Sequence, residues 1–489
     1  MAKLKEFVKS HDSLCVFLLF LVISTGFIFK NEILGYDSLW VFGNLYKLGH
    51  GFQIYEEVNI ITFPLFYEVF QVLLSLFNNY LGFLLLNYLI VTPLYFIIYQ
   101  IFKACDVKKR FALLFTLIIW IVYNQVGLFG PSYNTLALLI CIAGLLLYLK
   151  KKDSKFSFII QGVVAFLALM CNQKFGAGYV IGLLLIHLFN SESKKKAIVG
   201  LLKTYLITSL LCALFVLILF LTNKLNSFVD LTLSGLGSFT QNFTLRPNSI
   251  MFLIGILIFS VFGFICIKKK FNNYKNIKTL LCFTIPLLLV TYPIFNDYHF
   301  YIYLTAFGIP ALYILYNLFE QLLDHKFVNM IVNIITTLIV LGLIIFSVVV
   351  FINWNSKKNN DPNDAFYGAV IADYLESPIK ETNKYIESLK EQNKNYRILS
   401  IHAMLYTLRD VPEKNNGYFD MPLRGNFGKE DWHKLTNMLD QEPEGTYIII
   451  DAKVNGDFSI FQFPGEVYDY INEHYKYIQD LGEYVVYEK

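Results

Sequence analysis

Residues 328–352 run VNMIVNIITTLIVLGLIIFSVVVFI without a single charged side chain. About 20 such residues cross the hydrocarbon core of a bilayer as a helix, and a soluble fold has no use for so long an uncharged stretch. The same kind of block recurs along the chain, as in LCVFLLFLVISTGFIF and LGFLLLNYLIVTPLYFIIYQIF. Apolar runs at 14–30, 81–103, 111–128, 135–149, 156–171, 174–190, 198–222, 249–267, 278–295, 300–319 and 328–352 predict about 11 (10–13) transmembrane helices. Only 16% of the 489 residues are charged, against about 25% in soluble domains.

The net charge of +4 conceals a division. Residues 1–354 hold 26 Lys or Arg against 14 Asp or Glu, and residues 355–489 hold 15 against 23. A basic membrane part of +12 is therefore followed by an acidic tail of −8, which argues against nucleic acid as a partner. All seven Cys precede residue 283, so no disulfide staples the tail. The basic N-terminus resembles a signal-peptide n-region. No small-residue cleavage site follows the apolar run, and Lys30 ends it, so the run reads as an uncleaved first span.

Lys and Arg stay in short cytoplasmic loops. With the N-terminus in the cytoplasm, the clusters Lys108-Lys109-Arg110, Lys150-Lys151-Lys152, Lys194-Lys195-Lys196 and Lys268-Lys269-Lys270 all fall inside. Only Lys30, Lys47, Lys174, Lys224 and Arg246 of the membrane part then fall outside. This orientation requires PLFYEVFQVLLSLF (64–77) not to cross. It is short, Glu68 interrupts it, and it reads as a helix half-buried at the outer interface. The chain is thus expected to be a multi-pass protein of a bacterial cytoplasmic membrane. Residues 1–354 form a helical membrane domain whose first outer loop covers 31–80. Residues 355–489 form a small extracytoplasmic α/β domain, with a helix at 363–392, strands at 397–403, 446–453 and 484–489, and helical stretches at 429–440 and 465–475. The Asn- and Lys-rich run near 355–363 reads as a linker.

Polar residues near membrane depth gather on the outer side. Asp37 follows the first span. Lys47, His50, Tyr55, Glu56, Glu57 and Pro64 come after it. This pattern resembles the GT-C class of integral membrane glycosyltransferases, similar to the protein O-mannosyltransferases and the lipid A aminoarabinose transferases. The class has an acidic residue just after the first span, matched by Asp37. A long helix then leads to Gly, three residues, Tyr and an acid, matched by Gly51-Phe52-Gln53-Ile54-Tyr55-Glu56. A Pro-led apolar helix follows, matched by Pro64-Leu65-Phe66-Tyr67. Many members carry Asp-Glu where this chain has Asp37-Ser38. They often carry an acid in the next outer loop, where this chain has Asn134.

The resemblance implies a GT-C-like bundle that moves a sugar from a polyprenyl-phosphate donor to a cell-envelope acceptor, inverting the anomeric carbon. The acceptor is a polysaccharide, teichoic acid, lipid or protein. The acceptor hydroxyl loses its proton as it attacks, and Asp37 is the candidate base. The leaving lipid phosphate gathers charge that fixed cations stabilise. Lys174, Arg246, His299 and Lys47 are the candidates for that role, with Tyr55, Glu56 and Asn134 as further substrate contacts. No metal-ligand spacing, P-loop or dinucleotide fingerprint is present, so no cofactor is implied and a divalent cation lacks a ligand pattern. Three other readings remain, one of them a structural membrane protein whose tail binds a partner. A polysaccharide polymerase or ligase would use the same carriers with outer-loop arginines. A lipid-linked glycan flippase or transporter would be expected to show repeats and charged midplane helices.

Overall fold

The computed structural model describes residues 12–30, 36–55, 58, 60, 62–126, 131–151, 156–190, 193–229, 232, 247–269, 273–291, 300–322, 325–371, 373–399, 431–452, 465–482 and 484–489. In chain order the helices begin with α1 (Asp12–Ile28), α2 (Tyr36–Gly49), α3 (Leu65–Leu74), α4 (Tyr80–Leu86), α5 (Tyr88–Ala104) and α6 (Lys109–Val126). They continue with α7 (Tyr133–Lys151), α8 (Ser157–Cys171), α9 (Gln173–Asn190), α10 (Lys194–Leu221), α11 (Leu225–Val229), α12 (Pro247–Lys268), α13 (Tyr274–Thr291), α14 (Phe300–Leu322) and α15 (His325–Lys357). The tail adds α16 (Asp373–Glu391), β1 (Tyr396–Leu399), α17 (Asp431–Gln441), β2 (Tyr447–Asp451), α18 (Gly465–His474), β3 (Lys476–Leu481) and β4 (Tyr484–Glu488).

The sequence-predicted spans fall on helices wherever their residues are described, 81–103 being covered by α4 and α5 in succession, and the chain is a mainly helical polytopic membrane protein with a small terminal sheet. Among the described residues Tyr80–Ala104, Tyr133–Lys151, Lys194–Leu221 and Lys326–Lys357 are each long and apolar enough to cross a membrane. α3 has ten residues, about 15 Å at 1.5 Å each. That is half of a hydrocarbon core about 30 Å thick. One side of it, Phe66, Tyr67, Phe70 and Leu74, is buried, while Val69 and Val72 are exposed.

The chain divides into two units. The first comprises Met1–Lys30, Leu84–Ile218 and Phe243–Ser356. Within it, glycines set how closely helices approach. Gly178 and Gly182, one turn apart on α9, press against α13. A Cβ at Gly178 would lie 2.8 Å from the Leu287 Cα, and one at Gly182 would lie 3.2 Å from the Phe283 carbonyl oxygen. This is the small-x-x-x-small packing that joins membrane helices without help from a hydrophobic gradient. Gly26 does the same for α1 and α15, where a Cβ would lie 2.7 Å from the Ser347 Oγ. The freed contact lets Ser347 donate to the Ile23 carbonyl at 3.2 Å. The rest of α15 is largely exposed, including Leu338, Ile345 and Ile352. At one end of α1, Asp12 pairs with Lys103 at 3.4 Å and Lys109 at 3.0 Å.

The second unit comprises Asn31–Phe83, Leu219–Asn242 and Lys357–Lys489. Phe42 of α2 packs against Tyr80, Phe83 and Phe366, with ring centroids 5.1–5.6 Å apart. Residues 359–371 form a strap rather than the expected linker and helix start. Asn359 donates to Asp364 at 2.8 Å, and Tyr80 and Leu81 donate their amides to Ala365 and Tyr367, both at 2.8 Å. Pro362 and the left-handed Gly368 (φ +82) break the helical pattern, so α16 begins at Asp373 and not near 363. At Gly368 a Cβ would meet Leu81 Cβ at 2.7 Å, which makes glycine necessary twice over.

The tail sheet has the order β1-β2-β4-β3. β1 runs parallel to β2 with Ile398 opposite Ile449. β4 runs antiparallel to both β2 and β3. α17 and α18 contribute Leu435, Leu439, Val467 and Ile471 to a core with Leu399, Ile448 and Ile450. Three strands lie where the β-branched and aromatic runs predict them. β3 was not anticipated: KYIQDL is a polar edge strand, half exposed, and its pairing with β4 defines it more than its composition does.

Candidate active site

α2 begins one residue before Asp37, so the proposed base occupies the first turn of the helix that the resemblance calls for before Gly51. The side chain of Asp37 lies outside the described residues, as do Glu56, Arg246 and His299 altogether. What is described is the body of α2 and the turn that follows it.

Trp40, Asn44 and Lys47 stand at i, i+4 and i+7 and therefore share one face of α2. They are only 5, 3 and 2% exposed. Burying an ammonium favours its neutral form, and burial pushes the Lys47 amine down to about 7. The Lys47 carbonyl accepts the amides of His50 at 2.9 Å and Phe52 at 3.2 Å, closing the helix through the left-handed Gly51 (φ +88). His50 Nδ1 donates to the Tyr46 carbonyl at 2.8 Å. Burial, and then the charge of Asp364, hold the Tyr46 phenol above its ordinary range, which marks the strap as a neighbour of this helix.

The loop beyond Gly51 is fixed around Tyr55. Its backbone is left-handed at φ +69, an unusual conformation for a bulky residue. Its hydroxyl donates to the Thr62 carbonyl at 3.0 Å, and its ring meets Phe228 at 5.3 Å. Burial, and then the nearby Glu68, raise its phenol pKa. Phe63 stacks on the same Phe228 at 5.2 Å. The loop is thus held to α11 by two ring contacts. Pro64 then caps the start of α3, as the Pro-led motif implies.

Lys174 and Asn134 belong to the first unit. Asn172 donates Nδ2 to Asn134 Oδ1 at 2.6 Å and accepts the Lys174 amide on its own Oδ1 at 2.9 Å. Asn172 therefore caps α9 while tying it to α7. Asn134 is buried, and Lys174 is half-buried in the first turn of α9. Deeper in the same helices, Tyr179 donates to Gln161 Oε1, and Gln161 Nε2 donates to the Gly144 carbonyl at 3.3 Å.

Trp40 and Asn44 were not singled out from the sequence. Their i, i+4, i+7 register with Lys47 was present there, but it carries meaning only once α2 is known to be a helix. Among the described residues no three His, Cys, Asp or Glu side chains gather as metal ligands.

No family model matches the sequence, and no curated protein matches it. Among solved structures the chain is similar to the crystal structure of ArnT from Cupriavidus metallidurans in the apo state. The TM-score is 0.55 and the identity 11%, over 98% of each chain. At that identity the likeness is one of fold, and it runs from end to end. The chain therefore shares the fold of that structure over its whole length.

Proposed function

We propose that this protein transfers a sugar from a polyprenyl-phosphate carrier to a cell-envelope acceptor at the outer face of the membrane. The observation that carries the reading is the end-to-end fold likeness to ArnT, taken together with an acid in the first turn of the helix that follows the first span. Nucleotide sugars are absent outside the cell, so the donor is a lipid-linked sugar.

In this reading Asp37 accepts the proton of an acceptor hydroxyl within hydrogen-bond reach. The hydroxyl oxygen forms a bond to the anomeric carbon as the bond from that carbon to the carrier's phosphate oxygen breaks. The anomeric centre inverts, and polyprenyl phosphate leaves with the electron pair. Positive or hydrogen-bonding groups near the phosphate lower the barrier by stabilising that developing charge. Lys47 supplies one such group, and Lys174, Arg246 and His299 carry the same assignment from sequence. Tyr55 fixes the turn that follows α2, and Glu56 keeps its assignment from sequence as a substrate contact.

Vesicles that contain the protein and a radiolabelled polyprenyl-phosphate sugar test the reading. Transfer of label to an envelope acceptor is expected, and Asp37→Asn should reduce it by roughly a hundred- to ten-thousandfold while insertion is unchanged. Full transfer by Asp37→Asn removes Asp37 from the mechanism. No transfer by the unaltered protein, with any carrier-linked sugar offered, removes the activity.

A further inference from the structure

The buried stripe on α2 consists of hydrogen-bond donors. The Trp40 indole offers only an N–H, and the Lys47 ammonium offers only N–H groups. Between them, Asn44 Nδ2 has no acceptor among the described residues, although the residue is 3% exposed. A buried donor left without an acceptor lowers stability, and an apolar side chain of the same size would avoid that loss. Three N–H donors one turn apart complement a ligand with several acceptor oxygens. A phosphate monoester or diester has that character, and a sugar hydroxyl meets it only in part.

The position along the helix also fits. Asn44 is seven residues beyond Asp37, so the two positions lie about 20° apart around the axis and about 10 Å apart along it. In a direct displacement the base and the leaving phosphate lie on opposite sides of the anomeric carbon, on the order of 8 Å apart. A stripe that starts one turn beyond the base and runs away from it is suited to the leaving group rather than to the acceptor.

We propose that Asn44 is a ligand-contact residue, its amide donating to a phosphate oxygen of the polyprenyl carrier between the Trp40 and Lys47 donors. This rests on the transferase reading above. It adds an amide donor on α2 to the contacts that the sequence assigned to the carrier-linked sugar.

The test uses the full-length protein in nanodiscs with two probes, polyprenyl phosphate alone and the same carrier bearing a sugar. Asn44→Leu keeps the volume and removes the donor. Its melting temperature is expected to equal or exceed that of the unaltered protein. Its affinity for both probes should fall ten- to hundredfold, the usual size of one hydrogen bond to a charged group. The fall should appear in KM more than in kcat. Asn44→Asp, which keeps the shape but sets a carboxylate against the phosphate, should bind more weakly still.

Asn44→Leu with unaltered affinity for polyprenyl phosphate overturns the proposal. So does weakened binding of the sugar-bearing probe alone, which would place the amide on the sugar. Loss of melting temperature in parallel with binding would make the amide a structural tie and also overturns it. An unaltered protein that binds polyprenyl phosphate but transfers no sugar defeats the transferase reading and leaves the Asn44 contact standing. An unaltered protein that binds neither probe defeats both.

Discussion

Two sets of buried polar side chains in this protein are handled in opposite ways. In α7, α8 and α9 the amides find partners. Asn172 bridges Asn134 and the Lys174 amide, and Gln161 links Tyr179 to the Gly144 carbonyl. On α2 the Asn44 amide Nδ2 is buried to the same degree and has no acceptor among the described residues. Within a membrane, satisfied amides join helices. A buried donor that the fold leaves unmatched weakens the fold and calls for an explanation, of which use by a ligand is one. The first set is therefore read as structure and the second as function, and the two should respond differently to substitution.

Overfilling the satisfied set should have the largest effect. A Cβ at Gly144 would lie 2.2 Å from the Tyr179 Oη and 2.6 Å from the Val164 Cγ1. Gly144→Val must displace the tyrosine and break its bond to Gln161, a loss of about 3 kcal/mol or more. Thermal unfolding should show it directly, and the specific activity of the surviving folded protein should be unchanged. A stable Gly144→Val with low activity would reverse the assignment and make this set part of the site. Removing a partner from the same set should cost less. Gln161→Leu strands the Tyr179 hydroxyl, at about 2 kcal/mol. The double variant Gln161→Leu/Tyr179→Phe removes both partners and should recover part of that loss. Failure to recover would mean that the two groups are not coupled as the geometry has them.

The contrast also explains which parts of the molecule were legible beforehand. The spans were, because a helix that must satisfy its whole backbone inside lipid announces itself as a long apolar run. Their partners were not. Gly178 and Gly182 look like any glycines in an apolar run until α13 is seen against them. The tail strands were legible from Ile448-Ile449-Ile450 and Val485-Val486, whereas the polar β3 is made a strand by its neighbour. The 359–371 strap was hidden because side-chain bonds from Asn359 and Asp364 shape it, and those bonds have no periodicity. At the site, Asp37, Lys47 and Tyr55 were visible as polar residues beside an apolar span. Asn44 was not, since a lone Asn among aromatics has no meaning until the register of α2 sets it between Trp40 and Lys47.

Lys47 offers an electrostatic test of the same stripe. Its folded-state pKa is about 7, below the ordinary lysine value of 10.5. Between these values the unfolded chain binds more protons than the folded one, so stability rises with pH across that window and levels off below about 7. The slope contributed by one such group is at most about 1.4 kcal/mol per pH unit. Melting curves from pH 7 to 10 should therefore rise for the unaltered protein and flatten for Lys47→Met. Parallel curves would mean that the amine stays charged through compensation inside the fold.

The smallest effect sharpens the comparison within α2's own unit. Tyr55 is as buried as Asn44, yet its hydroxyl is matched by the Thr62 carbonyl at 3.0 Å. If satisfaction of hydrogen bonds, rather than location, separates structure from function, Tyr55→Phe must behave like the bundle substitutions. It should lose about 1 kcal/mol of stability and bind polyprenyl phosphate as the unaltered protein does, in direct contrast to Asn44→Leu. Thermal melting and carrier binding on the same preparation measure both quantities. Should Tyr55→Phe instead keep its melting temperature and lose carrier affinity, the left-handed Tyr55 turn would itself be a ligand contact, and a satisfied hydrogen bond would no longer mark a group as structural in this part of the chain.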